Sequence, residues 1–124
     1  MSICNCKVEF IRPRYKNLKE WCEDENNEYI GRKGIVFIKN EEGIKERYPK
    51  NNSIFYNPYK INKDGDRNEV IEKYKIYIIN RLKNENDLLK ELLKLKNKNL
   101  GCWCYPERCH GDILKEIINS TTTH

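Results

Sequence analysis

The sequence contains no alanine, no glutamine and a single methionine, and its longest apolar runs, such as residues 76–79, are short. A bilayer is crossed by about 20 consecutive apolar residues, so these runs exclude a membrane-spanning protein. No basic segment leads into an apolar one near residue 1, and we therefore expect no secretory leader. Together the absences favour a cytoplasmic protein without a membrane partner.

Lysine, asparagine and isoleucine are instead in surplus, with 17, 16 and 15 copies. This skew runs along the whole chain and is typical of an AT-rich genome, so a surface Lys or Asn carries little functional meaning. Lys and Arg number 24 against 19 Asp and Glu, which gives a formal charge of +5. This mild excess permits a phosphate-bearing partner, including nucleic acid, but no basic block predicts one.

The length and the aromatic content indicate one folded domain. A chain of 124 residues has room for a single ordinary core. Three Phe, two Trp and eight Tyr exclude a disordered polar segment. We predict a single α/β domain over residues 28–119, an N-terminal strand and acidic loop at 1–27 packed on it, and a frayed tail at 120–124.

The first half of the chain has weak patterns of secondary structure. Apolar alternation predicts a short strand over residues 7–11, and the polar, acidic residues 23–28 predict a loop. A β-branched run at 35–38 predicts a second strand. The charged segment that follows, 39–52, predicts a loop or a partly helical insertion.

The second half has stronger patterns. Asp66 and Glu69 have the spacing of a capping box at the start of a helix. The leucines of 88–95 predict a second helix, residues 100–104 a short buried strand, and the following segment a helix that begins within 109–112. The helix that follows this capping box has one apolar stripe, which consists of Ile71, Tyr74, Ile78 and Leu82.

This order of elements predicts a small α/β domain of two or three layers with a mostly parallel sheet. Its last strand, 100–104, precedes the C-terminal helix. In such sheets, ligands usually lie at the loops that leave the carboxyl ends of the strands. The loop after Cys104 is of this kind, and three of the six cysteines lie in or beside it.

Three cysteines and one histidine are concentrated around this loop, and we call Cys102, Cys104, Cys109 and His110 the cysteine cluster. Side chains two apart on a strand share a face, so Cys102 and Cys104 would lie together. A turn through Pro106 would bring the other two over the same strand end. A helix that begins near Cys109 would lower the pKa of its thiol.

Three interpretations of the cysteine cluster remain open. In the first, all four side chains bind zinc, since three sulfurs and one nitrogen are an accepted set, although C-x-C-x4-C-H departs from the usual spacing. In the second, Cys109 is a catalytic nucleophile, with His110 as its acid or base and Arg108 nearby. In the third, the cysteines are small residues of the core and of a turn.

The other three cysteines carry less information. Cys4 and Cys6 are predicted to lie in a flexible N-terminal segment as ordinary thiols, and the alternative is a four-cysteine metal site with Cys102 and Cys104 if an N-terminal strand lies alongside. Cys22, which follows Trp21, is predicted to belong to the core. Without a secretory leader, six cysteines indicate a reducing compartment and therefore free thiols rather than disulfides.

Short motifs follow one another along the chain: Tyr29-Ile30-Gly31-Arg32, Asn57-Pro58-Tyr59, Arg67 with Tyr74, Leu100-Gly101-Cys102-Trp103-Cys104, Pro106, and Cys109-His110-Gly111-Asp112. In this order they resemble the family catalogued as domain of unknown function 4326, and the C-W-C…C-H-G element is the specific part. The resemblance covers about residues 28–118. It implies a small α/β domain known from bacteria, phages and large DNA viruses, with no established activity, and the cytoplasm of the host if the protein is viral.

Three polar residues outside the cysteine cluster point to an anionic ligand. Arg32 would project from a strand end, Asn57 precedes a proline, and Arg67 lies in the first turn of a helix, where the dipole disfavours a cation. Each one alone is better explained by a salt bridge, or for Asn57 by a turn. With the cluster, they predict a pocket that binds or processes a nucleotide or another small phosphorylated molecule. The alternative is a zinc-stabilised, non-catalytic module that binds nucleic acid or protein.

Overall fold

The computed structural model describes residues 2–122. The strands are β1 (Ser2–Asn5), β2 (Asn27–Tyr29), β3 (Val36–Lys39), β4 (Lys45–Tyr48) and β5 (Asn99–Cys102). The helices are α1 (Val8–Ile11), α2 (Leu18–Glu23), α3 (Arg67–Asn84), α4 (Leu88–Leu93) and α5 (His110–Thr122). Within residues 2–122, every helix is too short or too polar to span a membrane.

The centre of the fold is a three-stranded sheet in the order β1-β5-β2. Both pairs are parallel, and Gly101 of β5 lies opposite Cys4 of β1 and Tyr29 of β2. Strands β3 and β4 form a separate antiparallel hairpin. The predicted α/β class, with a mostly parallel sheet and a C-terminal helix after the last strand, is confirmed.

Helices cover both faces of the sheet, which makes three layers. Leu100 and Cys102 of β5 belong to the core beneath α3, α4 and α5, and we call this the α5 side. The residue between them points the other way, because a Cβ on Gly101 would overlap the ring of Trp21 and lie 2.6 Å from the sulfur of Cys6. We call that face, which packs under α1 and α2, the α2 side.

Helix α3 forms as its local signals predict. Asp66 accepts a hydrogen bond from the backbone N–H of Glu69, and Glu69 accepts one from the N–H of Asp66, which completes the capping box. Tyr74 and Ile78 of the predicted stripe are completely buried. Tyr74 also donates to the carbonyl of Phe55 at 2.7 Å, which attaches the loop before α3 to the core.

The predicted strand at residues 7–11 is wrong. Residues 8–11 are helix α1, and the N-terminal strand is β1, which places Cys4 in the sheet and buries Cys6 instead of leaving both in a flexible segment. The alternation was misleading because Val8 and Phe10 are 44% and 61% exposed rather than packed on a sheet. The predicted acidic loop is also shorter than 23–28, since α2 includes its first residue and β2 its last two.

The prediction of a loop or partial helix over 39–52 is wrong as well, because this segment contains β4. Asn40 accepts hydrogen bonds from the N–H groups of Glu42 and Ile44, and Gly43 has a φ of +78°, which together form the turn of the hairpin. Most of β4 is exposed, so no apolar alternation indicates a strand. The predicted strand at 35–38 corresponds to β3, shifted by one residue.

The last two elements differ from their predictions only at the ends. Strand β5 covers 99–102 rather than 100–104, and α5 begins at His110. Helix α5 continues to Thr122, so residues 120–122 of the predicted tail are helical. Residues 123 and 124 lie outside the described part of the chain.

Candidate functional site

A cavity of about 420 Å³ lies where β2 and β5 end. Parallel strands bring their carboxyl ends to one edge of a sheet, and here the segments that leave two adjacent strands form one wall. We call this cavity the cysteine pocket. It is lined by all of the predicted site residues: Arg32, Asn57, Arg67, Cys102, Cys104, Cys109 and His110.

Positive charge is concentrated around the cysteine pocket. Its lining contains four basic side chains, those of Arg32, Lys60, Arg67 and Arg108, and no acidic one. Lys60 was not among the predicted site residues, although it directly follows the Asn57-Pro58-Tyr59 motif. Arg108 was considered only as a neighbour of Cys109. The cavity therefore has a stronger basic character than the two predicted arginines implied.

Arg32 holds one wall of the pocket in place. Its Nε and Nη2 atoms donate to the carbonyl of Asn57 at 3.1 and 2.8 Å, and Nη2 also donates to the carbonyl of Tyr59 at 2.8 Å. The side-chain oxygen of Asn57 accepts from the N–H of Tyr59 at 2.9 Å, which is a local turn. In this structure, Arg32 and Asn57 thus shape the loop that lines the cavity.

Arg67 connects the first turn of α3 to the segment before α5. Its Nη1 atom donates to the carbonyl of Arg108 at 3.0 Å. Arg108 in turn lies 3.5 Å from the carboxylate of Glu72, in an exposed ion pair. Both arginines line the cavity, and Arg67 keeps donors beyond Nη1 for a ligand.

Two thiols of the cysteine cluster lie in contact. The sulfur atoms of Cys102 and Cys109 are 3.3 Å apart, and the two residues are 2% and 3% exposed. The pKa of Cys102 is lowered because the Cys109 thiol donates to its sulfur, and the backbone N–H groups of Cys104 and Tyr105 donate as well. Burial opposes this effect. The thiolate of the pair is therefore favoured on Cys102.

The expectation that the start of a helix lowers the pKa of Cys109 is wrong. Its pKa is raised, first because the Cys109 proton is held in the hydrogen bond to Cys102, and second because the thiol is buried. The N–H of Gly111 does donate to this sulfur, but its effect is the smaller one. The contact between the sulfurs allows either thiol to donate, but two backbone N–H groups reach the sulfur of Cys102 and only one reaches that of Cys109, which favours Cys109 as the donor.

His110 is a neutral imidazole at neutral pH. Its Nε2 atom lies 2.7 Å from the carbonyl oxygen of Ile30, and its ring meets the edge of Tyr74 with centroids 5.0 Å apart. Burial, with the nearby charge of Arg32, lowers its pKa to about 4. A carbonyl oxygen accepts a hydrogen bond but cannot donate one, so in the neutral ring Nε2 carries the hydrogen and Nδ1 does not.

The structure does not assemble the predicted zinc set. Among residues 2–122, no group of three His, Cys, Asp or Glu side chains is placed to hold a metal ion. Cys109 and His110 are adjacent at the start of a helix and so diverge by roughly 100°. The two cysteine sulfurs hydrogen-bond to each other, and His110 bonds to the backbone.

Two consecutive hydrogen bonds, which we call the hydrogen-bonded chain, link the α2 side to the pocket. They were not predicted from the sequence. The indole N–H of Trp103 donates to the hydroxyl of Tyr29 at 2.8 Å, and this hydroxyl donates to the carbonyl of Arg32 at 2.8 Å. Trp103 packs on the α2 side, opposite Cys102 and Cys104, as strand alternation predicts. The signal was present, since Tyr29, Arg32 and Trp103 all belong to the motifs above.

A family model described as "Domain of unknown function (DUF4326)" matches residues 13–120. The uncharacterized 12.4 kDa protein in the nrdA-td intergenic region of Enterobacteria phage T4 is 40% identical over 55 residues, which are 44% of this chain and 51% of that protein. Uncharacterized protein R718 of Acanthamoeba polyphaga mimivirus is 34% identical over 73 residues, 52% of each chain. The chain therefore spans about half the length of these relatives. No solved structure matches.

Proposed function

Because the chain belongs to the DUF4326 family, whose description names no activity, we propose a function from the site itself: the cysteine pocket binds a small phosphorylated molecule of nucleotide size. The observation that supports this most strongly is a cavity of about 420 Å³ with four basic lining residues and no acidic one. Guanidinium groups match the geometry and charge of phosphate oxygens better than any other side chain.

The cavity also has an apolar part that suits a ring. Ile35, Ile61 and Ile71 line it together with Val70 and Trp103. Small-molecule sites typically enclose about 300–1,000 Å³ and combine an apolar lining with a few polar groups. In the proposed complex, the apolar lining contacts the base or another flat ring, and the basic rim contacts the phosphate.

Within this proposal, the residues have different roles. Arg67 and Lys60 contact the phosphate, because Lys60 has no hydrogen-bonding partner for its amine among residues 2–122 and Arg67 uses only Nη1 on the protein. Arg32 positions the 57–59 loop. His110, which is neutral, is suited to accept a hydrogen bond from the ligand.

The test is a calorimetric titration of the full chain with the common nucleoside monophosphates, with the matching nucleosides and inorganic phosphate for comparison. At least one nucleotide should bind, and the matching nucleoside should bind about tenfold more weakly or not at all, because it lacks the anion. Absence of binding by every nucleotide in the millimolar range would refute nucleotide binding.

Variants then locate the binding site. Arg67→Gln should weaken nucleotide binding about tenfold, whereas Arg67→Lys should retain much of the affinity through its charge. The matched control is Arg14→Gln, which removes the same charge from a residue that lines a different cavity. Equal weakening by both Gln variants would mean that net charge, not the pocket, attracts the nucleotide.

A further inference from the structure

We propose that Cys102 and Cys109 are a redox-active pair that reduces a small hydroperoxide and closes into a disulfide. Their sulfur atoms are 3.3 Å apart, and both residues line the cysteine pocket. A small molecule that enters the pocket thus reaches two neighbouring sulfurs. This activity is independent of nucleotide binding, since it needs neither the basic nor the apolar side chains that line the pocket.

The geometry requires little movement to form the bond. A disulfide joins sulfurs at about 2.05 Å, so the two atoms must approach by roughly 1.3 Å. Cys102 ends β5 and Cys109 directly precedes α5, and the connecting residues 105–108 are exposed. Because residues 105–108 are exposed, this segment is where the backbone can adjust to bring the sulfurs together.

The surroundings of the two sulfurs assign their roles. The sulfur of Cys102 accepts hydrogen bonds from the Cys109 thiol and from the backbone N–H groups of Cys104 and Tyr105, which favour an anion on this atom. Cys102 is therefore the attacking thiolate. Cys109, which holds its proton, is the resolving thiol that attacks second.

The chemistry balances in two steps. The Cys102 thiolate attacks one oxygen of the hydroperoxide, an S–O bond forms as the O–O bond breaks, and the released alkoxide takes a proton from solvent to leave as an alcohol, or as water from hydrogen peroxide. Cys102 is then a sulfenic acid. The sulfur of Cys109 attacks it, an S–S bond forms as the S–O bond breaks, and hydroxide leaves as water with the proton of Cys109. Two electrons pass from the sulfurs to the peroxide.

A small thiol completes the cycle. Exchange with two molecules of a thiol such as glutathione converts the disulfide back to two protein thiols and yields the oxidised small thiol. The pair therefore turns over only where both a hydroperoxide and a thiol are supplied. All six cysteines are free in this structure, which is the reduced state from which the cycle starts.

Peptide mapping tests whether the disulfide forms. The full chain is treated with a limited amount of hydrogen peroxide, the remaining thiols are blocked with iodoacetamide, and the protein is digested with trypsin. Cleavage after Lys98, Arg108 and Lys115 places Cys102 and Cys109 in separate peptides, 99–108 and 109–115. The expected product is these two peptides joined by a disulfide. Because the first peptide also contains Cys104, the Cys104→Ser variant is analysed in parallel and should form the same linked pair.

Single substitutions separate the two roles. Cys109→Ser should accumulate a sulfenic acid on Cys102 that dimedone traps, and Cys102→Ser should lose both this adduct and the disulfide. Cys22→Ser, on the α2 side, is the matched control and should behave like the wild type. Peptide mapping of the wild type decides the question even where a variant does not fold.

The proposal is overturned if the wild type forms a disulfide between other cysteines first, or if Cys102 and Cys109 stay reduced while others are oxidised. It is also overturned if Cys102 is oxidised to a sulfinic acid without a disulfide, because Cys109 would then not be a resolving thiol. None of these outcomes changes the result of the nucleotide titration, so the two proposals fail separately.

Discussion

The two sides of the central sheet each contain three cysteines, and these cysteines differ in acidity. Cys6 on the α2 side and Cys102 on the α5 side are 1% and 2% exposed. The pKa of Cys6 is raised, because burial penalises its thiolate and the other nearby thiols add to the effect. The pKa of Cys102 is lowered by hydrogen bonds from Cys109 and from two backbone N–H groups. Equal burial thus gives opposite results, and the donors around the sulfur decide between them.

Cys22 shows the same rule at an intermediate position. It packs beside the α2-side core and receives one hydrogen bond, from the hydroxyl of Tyr48. Burial nevertheless raises its pKa to about 11, because a single donor does not compensate and the charges of Glu28 and Glu23 oppose the thiolate. Several converging donors, as at Cys102, are needed to favour an anion in a buried place.

The largest expected effect comes from a change that affects the α2 side alone. Gly101→Ala would place a methyl group against the ring of Trp21 and 2.6 Å from the sulfur of Cys6, in the central strand of the sheet. We expect a loss of about 3 kcal/mol in the free energy of unfolding, measured by urea denaturation, because the strand and α2 must separate.

The matched control for this prediction is Gly43→Ala in the β3–β4 turn. No atom lies within 4 Å of a Cβ there, but the φ of +78° disfavours alanine. It should cost about 1 kcal/mol through backbone conformation alone. If the two substitutions cost the same, close packing around Gly101 is not what determines the effect.

The second largest expected effect is the pH dependence that His110, on the α5 side, gives to the free energy of unfolding. The pKa of His110 is about 4 in the folded protein and 6.5 when unperturbed, so between these values the unfolded state binds more protons. Stability therefore falls as the pH falls, by at most about 1.4 kcal/mol per pH unit, and by between about 1 and 2 kcal/mol from pH 6.5 to 5.

Urea denaturation of the wild type and of His110→Gln at both pH values tests this prediction. Glutamine does not titrate, and its amide can still donate to the carbonyl of Ile30. The difference between the two proteins isolates His110 from the carboxylates that also titrate near pH 4. Parallel curves for both proteins would contradict a lowered pKa at this position.

The smallest expected effect concerns the hydrogen-bonded chain that joins the two sides. Trp103→Phe removes the indole donor to the hydroxyl of Tyr29, and we expect a loss of about 1 kcal/mol in unfolding free energy. A double-mutant cycle with Tyr29→Phe measures the coupling and removes the separate packing losses. A coupling energy near zero would mean that the two side chains touch without stabilising each other.

Local signals explain which elements were predictable. Helix α3 has a capping box and an apolar stripe, and the strand before α5 is a short buried run, so neighbouring residues suffice to identify them. Strand β4 has no such signal because most of it is exposed. Val8 and Phe10 alternate like a strand, yet they belong to a short helix whose place depends on the contacts of β1 with β5.

In the candidate site, too, some residues were predictable from the sequence and others were not. All seven residues that the sequence analysis grouped into one pocket line the cavity, although β2, which precedes Arg32, was not predicted as a strand. Lys60 was missed because it comes from a loop without regular structure. The choice of Cys109 as the acidic thiol was based on its place near a helix start, whereas its actual neighbour is Cys102.

By itself, the sequence determined the α/β class, the helices of the second half and the loop after the last strand as part of the site, because these follow from periodicity, capping and the geometry of parallel strands. Only the tertiary structure decided that the cysteines are divided between two faces and that the thiolate is favoured on Cys102. The physical reason is that the pKa of a buried thiol depends on the donors within a few ångströms of its sulfur, and these come from residues that folding brings together.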